Sequence, residues 1–355
     1  MLDLPDETNV HILAALPYAE ISIAVCVCRG WRELRSSDQF RAARNSMDER
    51  GLVVAGGRDE SGRVSRACRV LVGGHWRERA SLPNLVYQGS SISFRGELVV
   101  FGCERDESGE EAPCCLAFNL EANAWRTLPW VNDERVVIAC CGTDAVVVAL
   151  FSGEESEDWS LRSLRPGSAE GWLPIPDPPV DVQTLYGEFP PSFCCVEDVL
   201  YVVGGAEDES GALCDALQAY DFSARAWTVC ARLPEPRCSS ACVQSAGRLF
   251  VVGGDGNGGY DDHLASVFSY DPRTDRWRSE SPLPRAGTSM LCADTSMLCA
   301  VAHEARVVVI GIEAAPPSAL TDNVWIELPP LPPNPGSGDA AGTAWHANAA
   351  SLRLE

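Results

Sequence analysis

Three near-identical acidic strings recur along this chain: Arg58-Asp59-Glu60-Ser61-Gly62, Arg105-Asp106-Glu107-Ser108-Gly109 and Glu207-Asp208-Glu209-Ser210-Gly211. Looser versions are Glu154-Glu155-Ser156-Glu157-Asp158 and the trio Asp255, Asp261 and Asp262. Carboxylates set among turn-forming Ser-Gly pairs do not make a reaction centre. They make a field, which attracts cationic segments and speeds their encounter. Three arginines, Arg135, Arg237 and Arg285, each stand ahead of an apolar stretch. Guanidinium groups there select an acidic or phosphorylated partner instead. The acids outnumber the arginines, so the expected target is a protein with a Lys/Arg-rich segment, held less tightly as salt rises. Two plainer readings stand beside it. The strings are solvated turns of an acidic chain, and the arginines pair with the same carboxylates.

Nucleophilic, acid–base and metal chemistry find no comparable pattern. The five histidines, His11, His75, His263, His303 and His346, are scattered, and none has metal-ligand spacing to another. The sixteen cysteines include the doublets Cys114-Cys115, Cys140-Cys141 and Cys194-Cys195. Adjacent strand residues point to opposite faces, so a doublet cannot line one metal site. Small buried hydrophobes in a reducing compartment are expected, with no cofactor and no enzyme activity. The net charge of −22 disfavours nucleic acid or an anionic membrane as partner. The longest apolar stretch, Val136 to Phe151, is broken by Gly142 and Asp144, which reads as two strands and not a membrane span. The acidic start has no signal-peptide core, so a cytoplasmic or nuclear protein is expected.

The elements that carry these residues repeat. Trp76, Trp125, Trp172, Trp227, Trp277 and Trp325 are separated by 49, 47, 55, 50 and 48 residues. A period near 50 marks stacked supersecondary units that cannot bury their apolar faces alone. Ahead of each tryptophan lies an apolar strand, often ending in two glycines, as in Val199-Leu-Tyr-Val-Val-Gly-Gly205 and Leu249-Phe-Val-Val-Gly-Gly254. Continuous apolar strands fit a sheet buried on both faces, and paired glycines allow positive φ and close backbone approach. Tyr220-Asp221 and Tyr270-Asp271 follow, and then a segment ending in Pro, as in Leu233-Pro234 and Leu283-Pro284.

This grammar resembles the kelch repeat, most strongly over residues 198–285. The resemblance implies a mainly β fold, a six-bladed kelch-type β-propeller with four antiparallel strands per blade. It also implies that the loop after each Gly-Gly strand and the loop before each innermost strand open on one face, the usual target face. Asp59, Glu60, Asp106, Glu107, Asp208, Glu209, Asp261 and Asp262 would then share a rim with Arg135, Arg237 and Arg285.

Residues 1–47 break the period and carry helical patterning. Leu4-Pro5-Asp6-Glu7, Ile12-Leu13, Leu16-Pro17, Val27-Cys28-Arg29, Trp31-Arg32-Glu33-Leu34 and Phe40 resemble an F-box. That resemblance implies a small all-α module that docks on the Skp-type adaptor of SCF-type cullin-RING ubiquitin ligases. Its adaptor-binding residues would be Leu4, Pro5, Ile12, Leu13, Leu16, Pro17, Val27 and Trp31. Ile21-Ser22-Ile23-Ala24 departs from the longer aliphatics usual there, which puts adaptor affinity in doubt. Residues 48–355 would form the propeller that holds a target protein. The alternatives are a kelch scaffold outside any ligase and a propeller enzyme.

Two details test the register. The first repeat opens at Gly51 with no innermost strand before it, and residues 343–352 follow the last repeat with no partner. They are expected to complete the first blade and remove two exposed edges. Thr288-Ser-Met-Leu-Cys-Ala293 recurs as Thr295-Ser-Met-Leu-Cys-Ala300. The second copy is expected to be the sixth blade's innermost strand, with the first in a loop on the binding face.

Overall fold

The structure, a computed structural model, describes residues 50–57, 64–105, 111–130, 137–152, 159–168, 171–180, 191–206, 212–256, 262–284, 299–303, 306–310, 316–332 and 348–353. From the N-terminal stretch it describes only Val10, Leu13, Glu33, Leu34, Ser37 and Gln39. Each glycine-bounded apolar run becomes the second strand of a four-stranded antiparallel sheet, and the described residues form six such sheets. Blade 1 holds β1 (Arg50–Ala55), β2 (Cys68–Val72) and β3 (His75–Arg79). Blade 2 is β4 (Val86–Phe94), β5 (Glu97–Arg105), β6 (Glu111–Asn119) and β7 (Ala124–Thr127). Blade 3 is β8 (Val137–Gly142), β9 (Val147–Ser152), β10 (Trp159–Leu164) and β11 (Trp172–Pro174). Blade 4 is β12 (Ser192–Val196), β13 (Val199–Val203), β14 (Leu217–Asp221) and β15 (Ala226–Val229). Blade 5 is β16 (Ala241–Ser245), β17 (Arg248–Val252), β18 (Val267–Asp271) and β19 (Arg276–Glu280). Blade 6 is β20 (Cys299–His303), β21 (Arg306–Ile310), β22 (Ser318–Thr321) and β23 (Val324–Glu327). The last strand, β24 (Asn348–Arg353), returns to blade 1. The innermost strands β24, β4, β8, β12, β16 and β20 pack on one another in turn, and β20 meets β24, so the ring closes.

The continuous apolar runs follow from this packing. Leu52 and Val54 of β1 join Val308 and Ile310 of blade 6, while Val53 and Ala55 join Leu98 and Val100 of blade 2. In β9, Val147, Ala149 and Phe151 face blade 2, and Val148 and Leu150 face blade 4. A strand covered on both faces needs an apolar residue at every position, so the usual alternation disappears. Each buried Val or Leu contributes about 1.5–3 kcal/mol by leaving water.

The paired glycines have a steric cause. Gly204 and Gly205 have φ of 63° and 100°, and Gly253 and Gly254 have 60° and 102°. A Cβ on Gly204 would run into the carbonyl of Arg237, and one on Gly254 would lie 2.5 Å from the carbonyl of Cys238. The crossover from blade 4 to blade 5 thus lies directly on both glycine pairs. Gly205 N–H donates to Arg237 O across 3.0 Å.

A hydrogen bond underlies the tryptophan period. Each repeat tryptophan sits half-buried on an outermost strand and donates its indole N–H to a backbone carbonyl of the preceding blade. Trp125 reaches Ala80 (2.7 Å), Trp172 reaches Trp130 (2.5 Å), and Trp227 reaches Pro176 (2.8 Å). Trp277 reaches Ala231 (2.8 Å), Trp325 reaches Ser281 (2.9 Å), and Trp76 reaches back around the ring to Pro329 (2.8 Å). In three seams a second bond completes a clamp. Asn123, Asp275 and Asn323, each two residues before the tryptophan, accept from the N–H of Ala80 (2.9 Å), Ala231 (2.8 Å) and Ser281 (2.7 Å). All three have positive φ, 49°, 51° and 60°, a conformation that Asn and Asp tolerate best among non-glycine residues. One backbone residue is therefore gripped at both its N–H and its C=O.

The C-terminal strand does complete the first blade. β24 pairs with β1 from Arg50↔Arg353 to Ala55↔Asn348. It begins at Asn348, later than expected, and residues 343–347 lie outside the described residues. The second Thr-Ser-Met-Leu-Cys-Ala copy leads into blade 6, because its Cys299 and Ala300 open β20 opposite Ile310 and Val309. The first copy lies outside the described residues. At the N-terminus Val10, Leu13, Glu33, Leu34 and Gln39 are helical, but no complete helix is described. Leu4, Pro5, Ile12, Leu16, Pro17, Val27 and Trp31 lie outside the described residues. Leu13 has no exposed surface.

Candidate functional site

Antiparallel alternation places the β13–β14 loop, the β17–β18 loop and the β15–β16 crossover on one face. This is the expected target rim. Arg237 and Asp262 are described there. Asp59, Glu60, Asp106, Glu107, Arg135, Asp208, Glu209, Asp261 and Arg285 lie outside the described residues.

Arg237 does not face a target. Its side chain is fully buried, with Nη1 donating to the carbonyls of Gly253 (2.7 Å) and Ser266 (3.1 Å). Nη2 donates to Glu235 Oε2 (2.7 Å) and Ser266 Oγ (2.7 Å), and Nε reaches the Glu235 carbonyl at 3.3 Å. The guanidinium lies 4.9 Å from the Phe268 ring centroid, within cation–π range. A buried cation persists only when paired and hydrogen-bonded, and this one is met from the crossover and from blade 5 at once. Burial lowers its pKa to about 10, with the Glu235 carboxylate opposing that drop, so it stays charged at neutral pH. The side chain staples the crossover to blade 5, and its assignment to target binding is corrected. It does pair with a carboxylate, but that of Glu235 in the crossover and not one from the acidic strings.

Asp255 is likewise withdrawn from the rim, being 2% exposed. Its Oδ1 lies 2.7 Å from His263 Nδ1, and its backbone exchanges bonds with Cys238 at 3.0 and 3.2 Å. This ties the β17–β18 loop to the crossover. Asp262 is exposed. Its carbonyl accepts from Gly256 N–H at 2.9 Å, and its carboxylate covers Gly256, where a Cβ would meet Oδ2 at 2.5 Å. The described rim thus presents Asp262, the outer edge of His263 and Glu235, which is 43% exposed. Among the described residues no group of three or more His, Cys, Asp or Glu is placed to hold a metal. No described helix is long and apolar enough to cross a membrane.

Sequence reasoning missed Glu235, Ser266, Phe268 and the His263–Asp255 pair. The only signal was the framing of Arg237 as Glu235-Pro236-Arg237; the others lie across a loop whose closure the sequence does not display. Most of the described cysteines are buried, as small hydrophobes are. Burial pushes the thiols of Cys68, Cys140 and Cys242 up to about 12, so they stay protonated.

A second concavity lies at the blade 2–3 seam, a cleft of about 530 Å³ lined by Trp130, Phe151, Arg162, Leu164, Pro166 and Trp172. Its aromatic walls are held by the Trp172–Trp130 bond and by the edge contact of Phe151 with Trp172, 5.1 Å between centroids.

Six four-stranded blades, double glycines under the crossover and a clamping tryptophan in every repeat define a six-bladed β-propeller. Kelch motif models match residues 189–234 and 236–284, which are blades 4 and 5. The chain thus carries kelch motifs in two blades of its propeller. It is 23% identical over 211 residues to Kelch-like protein 23 of Homo sapiens, covering 59% of this chain and 35% of that protein. It is 32% identical over 113 residues to alpha-scruin of Limulus polyphemus, covering 30% of this chain and 12% of that protein. The chain thus spans about a third or less of the length of these curated relatives. Among solved structures, YjhT superposes with a TM-score of 0.53 at 16% identity, over 77% of this chain and 96% of that one; this likeness concerns the fold.

Proposed function

We propose that this protein is the substrate receptor of an SCF-type cullin-RING ubiquitin ligase. The observation that carries the reading is the F-box-like string of residues 1–47, directly ahead of the first propeller strand at Arg50. The helical module docks on a Skp-type adaptor, and the propeller holds the target. The receptor transfers no ubiquitin itself; it raises the effective concentration of target beside the conjugating enzyme. The acidic strings face a Lys/Arg-rich segment of that target, which an anionic rim attracts. Its place of action is the cytoplasm or nucleus. Leu4→Ala with Pro5→Ala should abolish co-precipitation of the adaptor while the propeller keeps its melting transition. Undiminished capture by this double variant would refute the assignment. A second reading, a kelch interaction protein acting outside any ligase, rests on the matched motifs lying wholly within the propeller. It is the reading left if the wild-type chain binds no Skp-type adaptor.

A further inference from the structure

Several of the described thiols bond to oxygen. Cys140 Sγ donates to Ser90 Oγ at 3.2 Å, Cys194 Sγ to the Cys195 carbonyl at 3.6 Å, and Cys238 Sγ to the Asp255 carbonyl at 4.0 Å. Cys141 and Cys195 instead meet sulfur to sulfur, 3.4 Å apart. They are separated by 54 residues and come from different blades. Cys141 is the penultimate residue of β8 and Cys195 that of β12, the innermost strands of blades 3 and 4. The doublets explain the meeting. Adjacent strand residues point to opposite faces, so each doublet sends one thiol to either side. Cys141 and Cys195 enter one core cluster with Val148, Phe193 and Leu200. Cys140 turns the other way, to Ser90 of blade 2, and Cys194 packs with Leu249 and Val251 of blade 5. The shared seam is also one without the second clamp bond. There Trp227 reaches Pro176, which has no N–H to offer.

We infer that Cys141 and Cys195 form a site of oxidative modification, at which a peroxide joins blades 3 and 4 through a reversible disulfide. The step balances with the peroxide as oxidant. One thiol gives up its proton, and its sulfur attacks the peroxide O–O bond, forming a sulfenic acid and releasing one water. The partner sulfur then attacks the sulfenic sulfur, forming the S–S bond and releasing a second water. The net change turns two thiols and one hydrogen peroxide into one disulfide and two waters. The sulfurs lose two electrons and the peroxide oxygens gain them. The sulfurs must close from 3.4 Å to about 2.05 Å, a shift that two side-chain rotations share. A thiol reductant reverses the bond by exchange.

The reaction is slow at neutral pH. Both thiols are buried, which favours a small neutral oxidant over a bulky one. The hydrogen bond with Cys195 first, and burial second, hold the Cys141 thiol well above the usual cysteine range. Its thiolate, the reacting form, is therefore scarce. Where glutathione keeps thiols reduced the pair stays open, and sustained oxidation closes it. The bond acts on the fold: it constrains 54 residues of the unfolded chain. Antiparallel alternation puts the last residues of β8 and β12 at the ends away from the target rim.

The test treats the full chain with hydrogen peroxide, alkylates the remaining thiols, and digests with trypsin without reduction. The peptides of residues 136–162 and 163–225, which end at Arg162 and Arg225, should appear joined in the mass spectrum and separate with dithiothreitol. Fragmentation of the joined wild-type peptides should assign the bond to Cys141 and Cys195, which needs no variant. The joined pair should persist in Cys140→Ala with Cys194→Ala and vanish in Cys195→Ala. Oxidation should raise the melting temperature of wild type by about 5–10 °C and leave that of Cys195→Ala unchanged. A bond assigned to any other pair of thiols in these peptides, or oxidation that ends in sulfinic acid with no joined peptides, overturns the site. A wild-type melting temperature that stays level or falls once the disulfide has formed overturns its part in holding the two blades together.

Discussion

Removing the Asp275 side chain should open the seam between blades 4 and 5, and the size of the effect follows from its bonds. Asp275 Oδ1 accepts from Ala231 N–H at 2.8 Å and from the Tyr270 hydroxyl at 2.8 Å. Each bond is worth about 0.5–1.5 kcal/mol net. Alanine also tolerates the positive φ of 51° less well than aspartate, at a cost of about 1 kcal/mol. Asp275→Ala should therefore lose about 2–4 kcal/mol in urea unfolding. Asp275→Asn keeps the acceptor and the backbone preference, so it should stay within about 0.5 kcal/mol of wild type. The pH dependence isolates the contribution of the carboxylate's charge. The Ala231 N–H first, and the Tyr270 hydroxyl second, hold the Asp275 carboxyl below the usual aspartate range. A depressed carboxyl stabilises above its unfolded pKa of about 3.9 and loses that stability as pH falls through its lower folded value. The advantage of wild type over Asp275→Asn should shrink only in that acid window. The same logic explains which seams lack the second bond. Trp227 and Trp76 donate to Pro176 and Pro329, and proline has no N–H to offer. The residues two before those tryptophans are Arg225 and Gly74. Arg225→Asn should therefore gain nothing from a clamp bond. Equal losses in Asp275→Ala and Asp275→Asn, or a clamp-sized gain in Arg225→Asn, would refute the reasoning.

Deleting residues 343–355 removes β24 and its six pairings with β1 and bares two strand edges; the melting temperature should fall by about 10 °C or more. Reversing Asp59, Glu60, Asp106 and Glu107 to lysine should weaken capture of a basic target segment, measured as the salt dependence of binding, without changing the melting transition. A target that binds this variant unchanged would make the acidic strings a solubility feature.

The fold was legible because its determinants are periodic. A run such as Val99-Val100-Phe101, buried on both faces, needs apolar residues at consecutive positions. A tryptophan that must reach the previous blade returns at each repeat. The Asx half of the clamp was also written in the sequence, at Asn123, Asp275 and Asn323, but its meaning depends on a partner 42 to 44 residues away. No local rule joins the two. The described part of the rim was poorly legible for the same reason. Arg237 and Asp255 both have the residue type of a surface binder. Their burial is decided by Ser266, Phe268 and His263, which come from a neighbouring strand entry and a loop end.

That contrast leads to a final expectation, for Arg285. Both Arg237 and Arg285 follow a proline ahead of an innermost strand. The nest around Arg237 consists of Glu235, Ser266 and Phe268. Two residues before Arg285 stands Leu283, not an acid. The pairings Tyr270↔Trp277 and Leu320↔Trp325 align Ser266 with Pro316 and Phe268 with Ser318. The hydroxyl, the carboxylate and the ring that retain Arg237 thus have no counterparts in blade 6. Arg237→Ala strips a buried charge from five acceptor groups and should cost about 3 kcal/mol. Arg285→Ala should cost less than about 1 kcal/mol, leaving that arginine available to a target. Thermal denaturation of the two variants, side by side, decides the matter. Equal losses would mean that Arg285 has a buried nest of its own and belongs, like Arg237, to the fold and not to the binding rim.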